Sequence, residues 1–167
     1  MKPKKAQVLT LDFITGFIIF LLMLTLALNL IIGNAPSQTF DKLYKDNTFI
    51  SRSLISPGYP SDWNETTVVV PGIVDNYRLN LSKLQRYDTT DYEATKVFFH
   101  TNANYAFAFS DANGILNLTS CVHGFDISVD SNCKPQTNTL NAENIVRTDR
   151  YIIYNSSIIQ MTIYSWI

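Results

Sequence analysis

FITGFIIFLLMLTLALNLIIG, residues 13–33, is a run of 21 residues without a charge. As a helix it spans about 30 Å, the thickness of a bilayer's hydrocarbon core. A soluble core helix of this length carries a polar face. Here only Thr15, Thr25 and Asn29 interrupt the apolar surface. The run therefore reads as a membrane span. It divides the chain into a basic N-terminal stretch, an apolar helix ending at 33 and a head (34–167).

Charge on either side sets the orientation. Lys2, Lys4 and Lys5 precede the run, and the segment after it carries both signs. The positive-inside rule keeps the N-terminus cytoplasmic and sends the head outside. A cleaved secretory signal is the competing reading, but its apolar region should be only about 7–15 residues long. The best small-x-small site, Gly33-Asn34-Ala35, is followed by Pro36, which makes it a poor peptidase substrate.

Asp12, at the head of the run, reads two ways. It suits a helix start at the headgroup level, where an acidic group complements the dipole. It equally suits a charge that pairs with a cation on a neighbouring chain, since a carboxylate is costly deeper in the bilayer.

The 167-residue chain has room for one ordinary domain beside the anchor. Its net charge of −1 gives no polybasic surface for nucleic acid. Cys121 and Cys133 are its two cysteines. In an exported head they are expected to form a disulfide, contributing roughly 3 kcal/mol. No CxxC or histidine cluster accompanies them, so no metal or cofactor is expected.

Along the head, Phe40, Leu43, Tyr44 and Leu54 recur at helical spacing, so the anchor helix is expected to continue as an amphipathic one. Gly58-Tyr-Pro-Ser-Asp-Trp63 ends it, with Trp63 as a core anchor. Thr67–Val70 reads as a strand and Asn80–Tyr87 as a short helix with Leu81 and Leu84 inward. Thr90-Asp-Tyr-Glu93 is a capping-box pattern opening a helix to about His100, with Val97 and Phe98 buried. Tyr105–Phe109 and Ile115–Leu118 flank Asp111-Ala-Asn-Gly114 as a hairpin. Arg150–Tyr154 and Ile158–Tyr164 flank Asn155-Ser-Ser157 as a second one. The expected fold class is α+β: a long N-terminal transmembrane helix continuing into an amphipathic helix, packed on an antiparallel sheet.

Chemistry is sparse. His100 sits near a helix end and His123 beside Cys121; a Ser-His-Asp site could be drawn with Asp126. No nucleophile elbow, HExxH or Walker loop occurs, so the chain does not read as an enzyme. Four Asn-x-Ser/Thr sequons, at Asn64, Asn80, Asn117 and Asn155, are barely more than the composition gives by chance. Export would make them available for glycosylation, with Asn155 on a hairpin turn the best exposed.

Lys4-Lys5-Ala6-Gln7-Val8-Leu9-Thr10-Leu11-Asp12-Phe13 and the apolar run after it resemble the class III signal segment of archaeal type IV pilin-like proteins. The resemblance implies cutting by a prepilin-type membrane peptidase at Ala6–Gln7, which makes 1–6 a basic leader and 7–33 a transmembrane or filament-core helix that is retained and bundles with other pilin-like subunits. The family carries an acidic residue at the fifth mature position, whereas Asp12 is sixth and Leu11 fifth. Gly58-Tyr-Pro-x-x-Trp63, Gly72-Ile73, Lys83-Leu84, the aromatic hairpin and Arg150-Tyr-Ile-Ile-Tyr154 look like heads on such anchors in archaeal membrane proteins. That second likeness implies fold and location, not activity. The alternative is an uncleaved single-pass membrane protein whose head binds a ligand or envelope partner.

Overall fold

The computed structural model describes residues 4–33 and 38–167, with side chains from Phe13 to Leu30 and from Thr39 onward. The chain forms two compact units, 1–37 and 38–167.

The described residues of the first unit form one helix, α1 (Lys4–Gly33). Every described side chain on it, Phe13 to Leu30, is exposed. The backbone passes helically through Ala6, Gln7 and Asp12, whose side chains lie outside the described residues.

The second unit begins with α2 (Gln38–Leu54). Its buried stripe is Leu43, Asn47, Ile50, Ser51 and Leu54, one helical face. The expected pattern holds in part: Leu43 and Leu54 are buried, but Phe40 and Tyr44 face outward. Two polar residues replace them inside because the sheet supplies partners. Asn47 Nδ2 donates to Ser165 Oγ at 2.8 Å and to the Val146 carbonyl at 3.3 Å, and Arg150 donates to Ser51 Oγ at 3.0 Å.

After α2, the chain winds through a tight knot. Trp63 is fully buried, as expected, and its indole N–H donates to the Gly72 carbonyl at 2.8 Å. Gly72 is needed there: a Cβ would fall 2.3 Å from the Gly58 nitrogen and from the Ser56 carbonyl. Thr67–Val70 is not the expected strand. Asn64 captures it as a turn, its side-chain oxygen accepting from the Thr66 and Thr67 amides, and only Val70 bridges, to Tyr59. A local Asx interaction thus beats β-propensity.

Then follow β1 (Val74–Asp75), β2 (Arg78–Leu79), α3 (Leu81–Thr89) and α4 (Tyr92–Phe98). Asn80 caps α3, accepting from the Lys83 amide. The cap of α4 is Asp91 rather than Thr90, accepting from the Ala94 amide. The buried face also differs from the expected one: Thr95 and Phe99 are inside, while Val97 is exposed and Phe98 only partly buried.

The sheet is completed by β3 (Asn104–Asp111), β4 (Gly114–Leu116), β5 (His123–Gly124), β6 (Ile145–Tyr154) and β7 (Ser157–Trp166). Its order is β1-β2-β6-β7-β3-β4, with β5 also on β3. Both expected hairpins are present: Asp111 pairs Gly114, and Tyr154 pairs Ser157 across a two-residue turn. The sheet is not purely antiparallel, however. Strand β2 joins β6 in parallel through Arg78 and Ile153, which makes it mixed.

One face packs Phe107, Phe109, Ile152, Ile159, Met161 and Ile163 against α2, α3 and Trp63. The other is covered near Trp166 by the segment carrying Phe125, Ile127 and Leu140. Covering both faces explains why Tyr105 to Phe109 are all buried instead of alternating. The disulfide forms as expected, with the Cys121 and Cys133 Cα atoms 5.1 Å apart.

Candidate functional site

Two features stand apart from ordinary folding. The first is the surface of α1. Phe17, Phe20, Leu22, Met23 and Leu30 are each more than half exposed, without an ionisable residue between Phe13 and Leu30. The helix is long and apolar enough to cross a membrane. Thr25 satisfies its hydroxyl inside the helix, donating to the Leu22 carbonyl at 2.9 Å. Such back-bonding suits a surround that offers no partners. Asn29 is exposed on the same helix, its carboxamide with no hydrogen bond among the described residues.

The second is a cleft of about 310 Å³ between the α3–α4 corner and the loop before β5. Tyr87 and Asp88 come from α3, Tyr92 and Thr95 from α4, Thr119 and Ser120 from the loop, and His123 from the first position of β5. His123 is buried, its ring stacked on Phe107 at 5.0 Å and edge-on to Phe109 at 5.4 Å. The carboxylate that meets it is Asp88, 2.7 Å from Nδ1, not Asp126. Asp126 lines the same cleft without reaching the ring. Thr119 Oγ1 donates to the other Asp88 oxygen at 2.5 Å.

This is not hydrolase geometry. Ser120 Oγ lies 3.3 Å from Nδ1, the nitrogen that Asp88 already holds, and its proton goes to the Val122 carbonyl at 2.5 Å. A triad needs serine and carboxylate on opposite ring nitrogens. Here Nε2 is buried and has no partner among the described residues. The pair instead clamps the loop to α3.

Beneath the cleft runs a buried hydroxyl chain. Tyr87 and Tyr105 share a 2.6 Å hydrogen bond, and Thr95 Oγ1 bonds the Tyr105 hydroxyl in turn. Tyr92 accepts from the Tyr105 amide at 3.1 Å. Burial raises all three phenols: Tyr87 and Tyr105 well above 10, and Tyr92 to about 12.

A second polar cluster was missed by sequence reasoning. Lys83, buried on α3, meets Asp75 at 2.6 Å and the Pro57 carbonyl at 2.9 Å. Burial opposes the Asp75 charge, but hydrogen bonds from Lys83 and Asn80 outweigh it and hold the carboxyl below its ordinary range.

The remaining residues singled out in the sequence are dispersed. His100 is exposed just past α4. Asn64, Asn117 and Asn155 are exposed, whereas Asn80 is half-buried. Among the described residues, no three His, Cys, Asp or Glu side chains gather as a metal site. No protein-family model, curated protein or solved structure matches the chain.

Proposed function

We propose that the chain is a pilin-like structural subunit of an archaeal surface assembly, held in the membrane by α1 with its head outside. One observation carries the reading: an ion-free helix whose described side chains are all exposed, in a chain whose head buries a core of its own. A helix of that kind needs an apolar surround. Lipid supplies one before assembly, and neighbouring helices would supply it afterwards. Asn29 favours the helical surround, because a carboxamide without a partner is better satisfied by another helix than by lipid.

Processing is proposed at Ala6–Gln7, which removes the lysines that hold the leader in the cytoplasm. Asp12 is proposed to pair with the new amine on Gln7 of an adjacent subunit, since a carboxylate among apolar helices needs a nearby cation. The partners are then the membrane, a prepilin-type peptidase and other pilin-like subunits. Mass spectrometry of the native N-terminus tests this reading: a mature chain starting at Gln7 and keeping the whole apolar helix is expected. An intact Met1 or Lys2 on the mature protein would reject it.

A further inference from the structure

Four sequons look alike in the sequence, and the fold makes them different. Asn80 is committed: its Oδ1 caps α3 by accepting from the Lys83 amide, and its Nδ2 donates to Asp75 at 2.8 Å. At Asn64 the sequon's own hydroxyl is occupied, Thr66 Oγ1 donating back to Asn64 Oδ1 at 2.8 Å. At Asn117 it is occupied again, because Thr119 Oγ1 donates to Asp88. The sequon chemistry uses both the amide nitrogen and the hydroxyl two residues on.

Asn155 alone keeps both groups available. It occupies the two-residue turn between β6 and β7, with positive φ at Asn155 and Ser156. Asn155, Ser156 and Ser157 are exposed, and neither the Asn155 carboxamide nor the Ser157 hydroxyl has a hydrogen bond among the described residues. A groove of about 410 Å³ adjoins it, lined by Arg78, Leu79, Leu81, Ile153, Tyr154 and Asn155 itself. The exposed Arg78 has no ion pair among the described residues and can donate to sugar hydroxyls. Leu81, Ile153 and Tyr154 offer surface to the apolar C–H faces. Tyr77 and Ile158 next to this end of the sheet are 83% and 72% exposed, apolar area that a saccharide would cover.

We infer that Asn155 is a glycan attachment site whose first saccharides lie in the groove beside Arg78 and Tyr154, while Asn80 is closed to modification. The inference rests on the extracytoplasmic head proposed above. The donor is a glycan activated as a lipid phosphate or diphosphate, and a membrane transferase supplies the base. A bond forms between Asn155 Nδ2 and the anomeric carbon. The anomeric C–O bond breaks, the lipid phosphate leaves with its electron pair, and Nδ2 gives its proton to the base.

The test is glycopeptide mapping of the full-length protein from its native membranes, alongside protease accessibility of the head in intact cells. A mass increment of whole saccharide units on the Asn155 peptide is expected, lost in Asn155→Gln and in Ser157→Ala, with the Asn80 peptide bare. The glycan should also slow tryptic cleavage after Arg78 several-fold relative to Ser157→Ala. A bare Asn155 on a head shown to be outside overturns this inference and leaves the subunit reading standing; a head inside overturns both. An occupied Asn80 rejects the claim that it is closed, and equal cleavage rates reject the groove.

Discussion

Leu22 and Leu84 are the same side chain in two surroundings. Leu22 stands 57% exposed on α1, in a row where every neighbour is exposed too; Leu84 is fully buried under the sheet. Fully burying a leucine is worth roughly 1.5–3 kcal/mol. The head collects that gain from its own residues, whereas α1 leaves it to be collected from something outside the chain. The two regions differ in polar logic as well. The head tolerates buried Asn47, Ser51, Lys83 and His123 because each finds a partner from another segment. Along Phe13–Leu30 the helix admits no charge at all.

The sharpest way to break this comparison is to make one change in both places. Leu84→Ala should cost the head about 2–5 kcal/mol, lost transfer energy plus a cavity. Leu22→Ala should leave the head's unfolding midpoint where it was. Denaturant unfolding of the full chain in detergent, followed by tryptophan fluorescence, reads both, since Trp63 and Trp166 lie in the head's core. Equal losses would mean that Leu22 supports the head, and the contrast would collapse.

Next in size is the disulfide. Cys133→Ser should lower head stability by about 3 kcal/mol, the value for opening a short loop in the chain-entropy model. The bridged segment carries His123 and two of the residues covering Trp166, Phe125 and Ile127, so near-ultraviolet circular dichroism should register the change. Far-ultraviolet signal from α1 should not move. If the head is unaffected, the clamp of His123 on Asp88 holds this segment without the covalent bond.

What is legible in the sequence is the set of local signals. An uncharged run of 21 residues, two cysteines in the segment after it, and two turns flanked by aromatic or β-branched runs each carry their meaning within a few positions. What stays hidden depends on partners far along the chain. Asn47 and Ser51 resemble the outer face of α2 because their partners, Ser165 and Arg150, come about a hundred residues later. His123 stands three positions from Asp126 in the sequence, yet the carboxylate it meets lies 35 residues upstream on α3. Lys83 looks solvated until Asp75 and the Pro57 carbonyl close around it. Asn155 is legible as an exposed turn, whereas the groove beside it depends on a parallel pairing that no local pattern announces.

A pH titration sharpens the comparison further. The phenols of Tyr87, Tyr92 and Tyr105 are all raised above 10 in the folded head, chiefly by burial. Between about pH 10 and 12 the unfolded chain loses phenolic protons that the folded head retains. Stability is therefore full below pH 10 and falls as pH rises past it. Heat unfolding of the head should shift to lower temperature from about pH 10 upward, with the helicity of the Phe13–Leu30 span in detergent unchanged, since that span holds no titratable group. A head whose melting is flat across this range would mean that the hydroxyl chain opens to water.

The smallest expected effect is a gain, and it separates the two regions by backbone rather than by burial. Asn155 and Ser156 form the β6–β7 turn with φ of 45° and 64°. That is the geometry of a type I′ hairpin, in which glycine is preferred at the second central residue. Serine there bears the left-handed penalty of about 1–2 kcal/mol, partly offset because glycine adds about 0.4–1 kcal/mol of unfolded-chain entropy. Ser156→Gly should thus stabilise the head by roughly 0.5 kcal/mol. It leaves the Asn-x-Ser sequon intact, so it can be made without disturbing modification. On α1 the preference inverts. Gly16 is helical, and a Cβ added there would meet nothing within 4 Å, so Gly16→Ala should favour the isolated helix by up to about 1 kcal/mol. Should neighbouring helices pack closely at Gly16, as small residues allow, the same methyl would instead reduce incorporation into an assembly while leaving membrane insertion intact. Comparing assembled and membrane fractions of wild type and Gly16→Ala therefore asks whether α1 is bare lipid-facing surface or a surface reserved for its own kind.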